Sequence, residues 1–278
     1  MKFLYVWKNR LSKFIDYPPA IIPFIKKRLY SNFVADSYIS SYKNIKFLDY
    51  DQTINEILNN NKSIVRFGDD VFDMLLGVGL YYDNWRQIYN PILAKRLQEV
   101  LSSQNPNLLV CFNPEFILKT KDQFVKEGIG EQHHFWTNSK IYLKDYINKD
   151  QDYGSALTFH GRYNLNLPYD KLVEHLKTKH LVIVASNTAR FNDKQLGLTT
   201  HYVEGPSSNA WDSYDELMSE IKNVIKILPK SDTLIMTSLG PTSKIMALDL
   251  TNDGYVVWDT GQFFDLALKR IKRGLFDN

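Results

Sequence analysis

Short apolar runs alternate with segments of helical periodicity along most of the chain. The apolar runs have the β-branched and aromatic content of buried strands, and they read SIVRF, NLLVCF, SALTF, HLVIVA, TTHYVE, DTLIMTS and GYVVWD. Between them, apolar residues recur at helical spacing in ILAKRLQEVLSS, HFWTNSKIYLKDYI, YDKLVEHLKT, SYDELMSEIKNVIKIL and SKIMALDL. Because the connections are mostly short, parallel strands joined by crossover helices are the simplest topology. The pattern predicts an α/β fold with a mostly parallel sheet.

The first predicted strand runs directly into a polar turn. In SIVRFGDDVFDMLLG, a strand at Ser63–Phe67 passes through Gly68, Asp69 and Asp70 into a helix whose apolar face begins at Val71. In open α/β sheets, ligands bind at the carboxyl ends of strands, where a helix start also offers free N–H groups to an anion. The turn is therefore a candidate ligand site. A plainer alternative is that an aspartate is simply a helix N-cap.

Two later turns have the same strand-to-helix form. In TLIMTSLGPTSKIMALDL, Gly240 and Pro241 precede Thr242 at a helix start, and this arrangement would leave N–H groups open to a pyrophosphate. In HLVIVASNTARFND, Asn187 and Arg190 follow the strand. Arginine is the side chain whose planar fork best fits a phosphate group, although an isolated arginine is usually a surface ion-pair partner.

The last predicted strand, in GYVVWDTGQFFD, is followed by Asp259 and Gln262. If the sheet is parallel, these four polar turns share one edge, which favours a nucleotide-type ligand. The sequence contains no Gly-x-x-x-x-Gly-Lys phosphate loop, no Gly-x-Gly-x-x-Gly after a strand and no His-Glu-x-x-His, which argues against P-loop kinases, ordinary dinucleotide enzymes and zincins. The neighbouring His133 and His134 have poor spacing for metal ligands on a helix and are predicted to be packing or surface residues.

Composition indicates a globular protein of the reducing cytoplasm. The 278 residues are 44% hydrophobic, enough for one large core or two modest ones. The single cysteine, Cys111, follows an apolar run and is predicted to be a packed core residue. No apolar run is long enough for a spanning helix, and the start of the chain lacks the cleavage site of a secretory signal.

Positive charge is concentrated at the start of the chain. Residues 1–30 carry seven basic residues against Asp16 alone, a net +6, although the whole chain is only +3. Apolar and aromatic residues are interleaved with these charges, a mixture that suits peripheral contact with an anionic membrane. The alternative is an ordinary N-terminal helix that covers the body, since three prolines interrupt the segment. The remaining chain offers no basic stripe for a nucleic acid, so we expect no nucleic-acid partner.

At these turns the sequence resembles the GT-D-fold glycosyltransferases, a family first recognised as a bacterial domain of unknown function. The resemblance runs from about Ser63 to Asp265, and its most specific pieces are Arg66-Phe67-Gly68-Asp69, Ser238-Leu239-Gly240-Pro241-Thr242 with the helix through Asp249-Leu250, and Gly254-Tyr255 leading to Asp259-x-Gly261. Ser208-Asn209-Ala210 with Tyr214-Asp215-Glu216-Leu217 also looks like the family. The order and spacing of the pieces together make coincidence improbable. The resemblance implies a Rossmann-like GT-D domain that transfers a sugar from a nucleoside diphosphate sugar, usually UDP-linked, to a glycan acceptor on protein or lipid.

Two acidic positions depart from the family pattern. Where the family turn normally reads Asp-Gly-Glu and is associated with donor and metal binding, this chain reads Asp69-Asp70-Val71. Where the family commonly has Glu-Gly-Glu, this chain has Ala185-Ser186-Asn187. The divalent ions Mn²⁺ and Mg²⁺ bind preferentially to hard oxygen ligands. The loss of one carboxylate would therefore weaken metal binding at this turn without abolishing it. The departures imply a different donor, a metal-independent site, or a homologue that no longer catalyses.

The resemblance assigns candidate roles at the four turns. Asp69 and Asp259 are the candidate catalytic acids, and Asp69 and Asp70 are the candidate metal ligands. The candidate donor-binding residues are Arg66, Gly68, Asn187, Arg190, Gly240, Pro241, Thr242 and Gln262.

The sequence is thus interpreted as a basic, aromatic N-terminal extension at 1–45 and a GT-D-like domain at 46–278. We expect a cytoplasmic hexosyltransferase of bacterial polysaccharide, capsule or glycoprotein synthesis. The basic segment at residues 1–30 is the candidate for peripheral contact with the inner face of the membrane. The alternatives are a non-catalytic homologue that binds a nucleotide sugar or stabilises a partner, and an unrelated nucleotide-binding enzyme with a doubly wound sheet.

Overall fold

The computed structural model describes residues 11–82, 85–160, 163–164, 166–186, 196–261 and 263. The chain divides into two compact units. A helical unit consists of Met1–Phe47, Phe67–Ser102 and Phe112–Asp152, and a sheet unit consists of Leu48–Arg66, Ser103–Cys111 and Tyr153–Asn278. The predicted boundary near residue 45, between an N-terminal extension and a transferase domain, stays a prediction.

The strands within the described residues are β1 (Ser63–Arg66), β2 (Leu80–Tyr81), β3 (Arg86–Gln87), β4 (Leu108–Phe112), β5 (Gly154–Ser155), β6 (His180–Ala185), β7 (Thr199–Glu204), β8 (Thr233–Ser238) and β9 (Val256–Asp259). The helices are α1 (Ile21–Phe33), α2 (Tyr50–Leu58), α3 (Asp69–Leu75), α4 (Pro91–Leu101), α5 (Pro114–Ile117), α6 (Lys121–Lys126), α7 (Gln132–Phe135), α8 (Thr137–Tyr142), α9 (Tyr169–Lys177), α10 (Tyr214–Ile225) and α11 (Pro241–Asn252). Short 3₁₀ helices lie at Pro18–Ala20, Ala35–Tyr42, Leu143–Asp145, Ala210–Ser213 and Lys230–Asp232.

The sheet unit is built on seven strands in the order β5-β4-β1-β9-β8-β6-β7. The pairings of β4 with β1, β1 with β9, β9 with β8, β8 with β6 and β6 with β7 are all parallel. The predicted α/β fold with a mostly parallel sheet is therefore confirmed. β4 is buried along its whole length, as expected for a strand covered on both faces, and this explains its continuous apolar run.

The core of the sheet unit is formed by side chains of the central strands. It includes Ile64, Leu109, Ile183, Met236 and Trp258. Cys111 is fully buried in the same cluster, which confirms the prediction that it is a packed core residue. Burial raises the pKa of its thiol well above the ordinary range, so this sulfur stays protonated and unreactive.

The helical unit is held together partly by a buried polar cluster around Asp36. The carboxylate accepts hydrogen bonds from the fully buried Lys140 Nζ at 2.7 Å, from the Lys121 N–H at 2.7 Å, and contacts His133 Nε2 at 3.0 Å. His133 is itself buried and lies 3.4 Å from the Ser31 hydroxyl. The prediction that His133 is a packing residue is thus confirmed.

Within the described residues, no helix combines the length and hydropathy needed to cross a bilayer.

Two local predictions were wrong. The run SALTF is a strand only at its first residue, because the chain then turns through hydrogen bonds from the Thr158 N–H to the Ser155 carbonyl and from the His160 N–H to the Leu157 carbonyl. The predicted long helix HFWTNSKIYLKDYI is broken into α7, α8 and a 3₁₀ turn at Leu143–Asp145. In both segments tertiary packing outweighs the local pattern. By contrast, β7 has the predicted bounds, Thr199–Glu204.

Candidate functional site

Four strands that end in the predicted polar turns are neighbours in the sheet. β1, β9, β8 and β6 follow one another in the strand order, and their pairings are parallel. Their carboxyl ends therefore lie along one edge, as the sequence predicted. Of the candidate donor-binding residues beyond these ends, Asn187, Arg190 and Gln262 lie outside the described residues.

Arg66, the last residue of β1, is fixed by backbone oxygens. Its Nε donates to the Asp259 carbonyl at 2.6 Å and its Nη1 donates to the Ala156 carbonyl at 3.1 Å. The guanidinium lies 5.9 Å from the centre of the Phe159 ring. In the part of the chain that the structure describes, this guanidinium pairs with no carboxylate. Its charge is held rigidly and stays available to an anion.

Gly261 leaves the space that the guanidinium occupies. A Cβ at this position would lie only 1.9 Å from Arg66 Nη2. The backbone of Gly261 also has a positive φ of 50°, a conformation that side chains disfavour. The Asp259-x-Gly261 piece of the family resemblance therefore has a structural explanation: its glycine makes room for the arginine of the Arg66-Phe67-Gly68-Asp69 piece.

The carboxylate of Asp259 is buried and already has partners. Its Oδ2 accepts from Lys244 Nζ at 3.1 Å and from the backbone N–H of Arg66 at 3.1 Å. The side chains of Lys244 and Asp259 are only 9% and 3% exposed. This arrangement suits a group that positions Arg66 and Lys244. The catalytic role predicted for Asp259 stays a prediction, and the geometry favours the positioning role.

The loop between β8 and α11 has the predicted strand-glycine-proline-helix form. Gly240 is the N-cap of α11 with φ 60° and ψ −133°, and Pro241 is the first helical residue. The loop is held by the Ser243 hydroxyl, which accepts from the Leu239 N–H at 2.6 Å. A large side chain at Gly240 would strain this backbone.

Thr242, a candidate donor-binding residue, lies deeper than the sequence suggested. The residue is fully buried, and its hydroxyl has no hydrogen-bond partner within the described residues. Its proposed contact with a donor stays a prediction. An anion at this end of α11 would rely on the remaining backbone N–H groups, because Pro241 has none and the Ser243 N–H already donates to the Gly240 carbonyl at 3.2 Å.

Other pieces of the family resemblance also bond to one another in the sheet unit. The Ser238 hydroxyl donates to the Gly261 carbonyl at 2.6 Å. The Tyr214 hydroxyl donates to the Asp249 carboxylate and so joins α10 to α11. These contacts explain why residues far apart in the sequence form one recognisable pattern.

In the helical unit, neither aspartate of the opening turn is an N-cap. Helix α3 begins at Asp69, and its N-cap is Gly68, which has no side chain for capping. Asp69 and Asp70 therefore occupy the first helical turn, where the helix dipole favours negative charge. The Asp70 carboxylate folds back so that its Oδ1 lies 3.0 Å from the position of a Cβ on Gly68. The N-cap alternative is thus wrong.

The pKa of Asp69 is strongly perturbed. Burial, and then repulsion from Asp70, raise the pKa of Asp69 to about 7. Asp70 accepts a hydrogen bond from the Tyr82 hydroxyl at 3.1 Å, and burial together with Asp70 raises the pKa of Tyr82. Within the described residues, the Asp69 carboxylate forms no ion pair. A carboxyl group with a pKa near neutrality can exchange a proton at working pH.

Asp73, one helical turn further on, is fully compensated. Lys27 Nζ lies 2.8 Å from its Oδ1 and 2.9 Å from its Oδ2, and Asn138 Nδ2 donates to Oδ1 at 2.7 Å. The Lys27 side chain is only 7% exposed. This buried bond ties α1 and α8 to α3, so Asp73 is a structural residue.

Asp69 and Asp70 are the candidate ligands of the divalent ion that the family resemblance implies, and this role stays a prediction. They offer hard oxygen ligands, and a cation would relieve the repulsion that raises the pKa of Asp69. Val71, at the position of the family glutamate, is 2% exposed and offers no ligand. Among the described residues, no group of three histidine, cysteine or acidic side chains is arranged to hold a metal. A metal ion at these two carboxylates would need further oxygen ligands from a bound substrate.

Sequence reasoning missed Lys244, Lys27, Asn138 and Tyr82. Lys244 could have been found, because it lies one turn into the helix that Gly240 and Pro241 open. The others carry no local signal. Lys27 sits in a basic run, and its partner Asp73 is 46 residues away.

A family of known proteins matches most of this chain. The glycosyltransferase GT-D fold family matches residues 64–266. A solved structure described as a selenomethionine-substituted domain of unknown function 1792 superposes with a TM-score of 0.70, at 25% identity over 88% of each chain. Another, described as the highly conserved domain of unknown function 1792 with a distinct glycosyltransferase fold, gives a TM-score of 0.69 at 24% identity over 88% of each chain.

Two curated relatives are streptococcal. The probable glycosyl transferase Gly of Streptococcus gordonii is 29% identical over 234 residues, which are 79% of this chain and 32% of the relative. The glycosyltransferase GlyD of Streptococcus pneumoniae serotype 4 is 26% identical over 228 residues, which are 76% of this chain and 26% of the relative. The chain thus spans about a third or less of the length of these relatives.

Proposed function

The chain belongs to the glycosyltransferase GT-D fold family, and from this we propose that it is an enzyme that transfers a sugar from a nucleoside diphosphate sugar to a glycan acceptor. The donor is UDP-linked, and the acceptor is carried on lipid or protein during bacterial polysaccharide, capsule or glycoprotein synthesis. The reaction breaks the bond between the sugar and the diphosphate and joins the sugar to an acceptor hydroxyl.

The observation that carries this proposal is the fixed guanidinium of Arg66, which forms no ion pair with any described carboxylate. It lies at the carboxyl end of β1, and backbone carbonyls rather than carboxylates hold it there. A diphosphate needs positive charge and N–H donors at such a strand edge. Arg66 would supply the charge, and the start of α11, which follows β8 two strands away in the sheet, would supply N–H groups. Together they support binding of the donor diphosphate.

Asp69 is the acid that we assign to the chemistry. Transfer to a hydroxyl requires a base that takes the acceptor proton if the configuration inverts. A carboxyl group with a pKa of about 7 is suited to this proton transfer. Asp259 is less suited, because Lys244 and the Arg66 N–H already bond to its carboxylate.

If a divalent ion takes part, Asp69 and Asp70 would hold it, and Asp69 would then be a metal ligand and not the base, because a bound cation lowers the pKa of a carboxyl group. Mn²⁺ or Mg²⁺ bound there would act as a Lewis acid that stabilises negative charge on a leaving group. The protein groups prepare this position themselves, since the Tyr82 hydroxyl orients Asp70 by its hydrogen bond at 3.1 Å. With only two protein carboxylates, we expect weak metal binding that strengthens when the nucleotide is present.

A non-catalytic role is the second candidate, and one observation favours it. The family glutamate is replaced by Val71, which is buried in the core and takes no part in polar chemistry. In that case the chain would bind a nucleotide sugar or stabilise a partner transferase without turnover. We place either form in the cytoplasm, peripherally on the inner face of the membrane, with no nucleic-acid partner.

Donor binding tests the first step. Isothermal titration calorimetry with UDP should show affinity about tenfold or more weaker for Arg66→Gln, the scale of a lost charged hydrogen bond. Arg86→Gln is the matched control, because Arg86 is exposed and its bond to Asp16 is a surface ion pair at 3.5 Å. Undiminished UDP affinity in a folded Arg66→Gln protein would exclude this donor site.

Turnover separates the two candidate functions. Transfer and donor hydrolysis should be measured with a panel of nucleotide sugars, with and without Mn²⁺. Turnover of one donor supports the transferase. Tight UDP binding without turnover of any donor supports the non-catalytic homologue instead.

A further inference from the structure

Helix α1 turns large apolar side chains toward solvent. Ile22, Ile25, Leu29 and Phe33, here called the outward row, are 74%, 53%, 55% and 81% exposed. They recur every three or four residues and therefore lie along one face of the helix. An aligned row of this kind differs from scattered exposed apolar residues, which are normal on protein surfaces.

The opposite face of the same helix buries two polar side chains beside the half-buried Phe24. Lys27 is 6% exposed and bonds to Asp73, and Ser31 is 7% exposed and lies beside His133. A surface helix ordinarily buries its apolar face and exposes its polar face. Helix α1 instead exposes four large apolar side chains and buries Lys27 and Ser31, so packing inside the protein does not explain its outward row.

The segment before α1 also exposes apolar side chains. Residues 11–16 are helical, and Leu11 and Ile15 are 52% and 77% exposed one turn apart. The Phe14 and Phe24 rings meet edge to face at 5.4 Å and join this segment to α1. Apolar exposure therefore continues over two successive helical segments.

Basic residues flank the outward row. At 100° per residue, Lys26 and Arg28 project on opposite sides of the row, and both are exposed. Helix α1 contains no acidic residue. The single acid of residues 11–33, Asp16, accepts a hydrogen bond from the Tyr81 hydroxyl at 2.8 Å. The surface is thus apolar along its centre and positive along its margins.

We propose that the outward row docks on an anionic lipid bilayer, with α1 lying in the plane of the interface. Apolar side chains would enter the boundary of the acyl chains while Lys26 and Arg28 remain among the headgroup phosphates. The inference assigns the peripheral membrane contact to a defined face of α1. It does not depend on sugar transfer.

Charge argues against a second copy of the chain as the occupant. Two α1 helices that paired about a two-fold axis through their centres would bring Lys26 and Arg28 of both copies together. No acidic residue of α1 would compensate that repulsion. An anionic bilayer would instead place negative charge opposite these basic residues.

The test must leave α1 in place, because deletion of residues 1–30 would also remove Lys27 and leave Asp73 without its ion-pair partner. The full chain should co-sediment with vesicles of equimolar phosphatidylglycerol and phosphatidylcholine at low salt. It should bind pure phosphatidylcholine much less. A wild-type protein that ignores the anionic vesicles overturns the proposal.

Paired substitutions test the face itself. Ile25→Ser with Leu29→Ser should weaken vesicle binding about tenfold or more, because two apolar side chains are lost from the contact. The matched control is Ile92→Ser with Ile227→Ser, which removes two apolar side chains that are 63% and 78% exposed elsewhere. Equal loss in both double variants, or no loss in either, contradicts docking through the outward row.

Charge reversal tests the margins. Lys26→Glu with Arg28→Glu should weaken binding to anionic vesicles by about fivefold or more for each residue. Lys95→Glu with Lys226→Glu, at two exposed lysines elsewhere, gives the same change in net charge. Equal effects of the two pairs would mean that net charge alone drives binding, and would overturn the assignment to this face.

Light scattering distinguishes the other occupant. We expect light scattering to show a monomer for the wild type. We expect the same for the double variant Ile25→Ser with Leu29→Ser. If the wild type is a dimer that this double variant dissociates, the outward row is a contact between copies and the bilayer proposal is wrong. Sugar transfer to a soluble acceptor should be unchanged in the serine variant, so failure of the proposed enzyme activity remains distinguishable from failure of docking.

Discussion

Asp259 of the sheet unit and Asp69 of the helical unit are both acids at candidate positions, but their surroundings are opposite. The Asp259 carboxylate is buried against Lys244 Nζ and the Arg66 N–H. Asp69 has another aspartate beside it, and burial with that repulsion raises its pKa to about 7. The negative charge of Asp259 is thus balanced by a buried lysine and a backbone N–H. The negative charge of Asp69 is disfavoured by burial and by the neighbouring Asp70, and we call this disfavoured charge electrostatic strain.

The difference shows how to distinguish acidic residues that stabilise the fold from acidic residues that are candidates for catalysis or ligand binding. Asp73 belongs with Asp259, since Lys27 and Asn138 satisfy its carboxylate. A compensated buried carboxylate is held by its partners, and its removal leaves a buried cation alone. An uncompensated one gains from a ligand cation or a proton, which is why perturbed pKa values mark candidate functional sites.

The largest expected effect is on stability, at Asp259. Asp259→Asn should lower the free energy of unfolding by about 3 kcal/mol or more, because Lys244 would stay buried without its carboxylate. Urea denaturation measures the change. Asp253→Asn is the control, since its ion pair with Lys222 is exposed and 3.3 Å long, and it should change stability by less than about 1 kcal/mol. If Asp259→Asn keeps full stability and abolishes transfer, Asp259 is catalytic and the comparison is reversed.

The next effect is on activity, at Asp69. Asp69→Asn should lower kcat for sugar transfer by about 100-fold or more, the scale of a positioned acid or base. Asp51→Asn, another first-turn aspartate on helix α2, should leave kcat unchanged. Full activity of Asp69→Asn with the native donor would remove this residue from the chemistry.

The same substitution should have a stability effect of the opposite sign. The folded pKa of Asp69 is raised, so the folded state binds more protons than the unfolded chain, and stability falls as pH rises toward about 7. Asp69→Asn removes that cost and should raise the free energy of unfolding by about 1 to 2 kcal/mol above pH 7. Urea denaturation at pH 5 and pH 8 measures it. Equal stability changes at both pH values would contradict the electrostatic strain at Asp69.

A smaller effect is expected where the sheet unit makes room for Arg66. Gly261→Ala would place a Cβ 1.9 Å from Arg66 Nη2, so the guanidinium must move, and UDP affinity should fall about tenfold. Gly128→Ala is the matched control, because Gly128 also has a positive φ but nothing within 4 Å of its added Cβ. Equal UDP affinity in the two variants would show that Arg66 tolerates displacement.

The smallest effect is a shift in pH dependence. Asp70→Asn removes the repulsion that is the second cause of the raised pKa of Asp69, while burial, the first cause, remains. If Asp69 acts as a base, the acid limb of kcat/KM should move to lower pH by less than about one unit. A pH profile of the residual activity measures this shift. An unmoved limb would mean that another group titrates.

Much of the fold was readable from the sequence because buried parallel strands are continuous apolar runs. The runs containing Ile64, Val182, Ile235 and Val257 all proved to be central strands. The failures were SALTF and HFWTNSKIYLKDYI, where the chain turns according to distant packing instead of local preference. The helical unit was the less predictable one, since short helices and a buried polar cluster leave weak periodic signals.

By itself, the sequence determined the sheet, the polar turns at the ends of its strands and the family pattern that joins them. Only the tertiary structure decided the state of each polar group. It gave Asp259 a lysine, gave Asp73 a lysine and an amide, and turned the apolar side of α1 outward. The physical reason is the distance along the sequence between the residues that interact. Strand and helix patterns arise from residues a few positions apart, whereas the energy of a charge depends on burial and on partners such as Lys27 and Asp73, which are 46 residues apart.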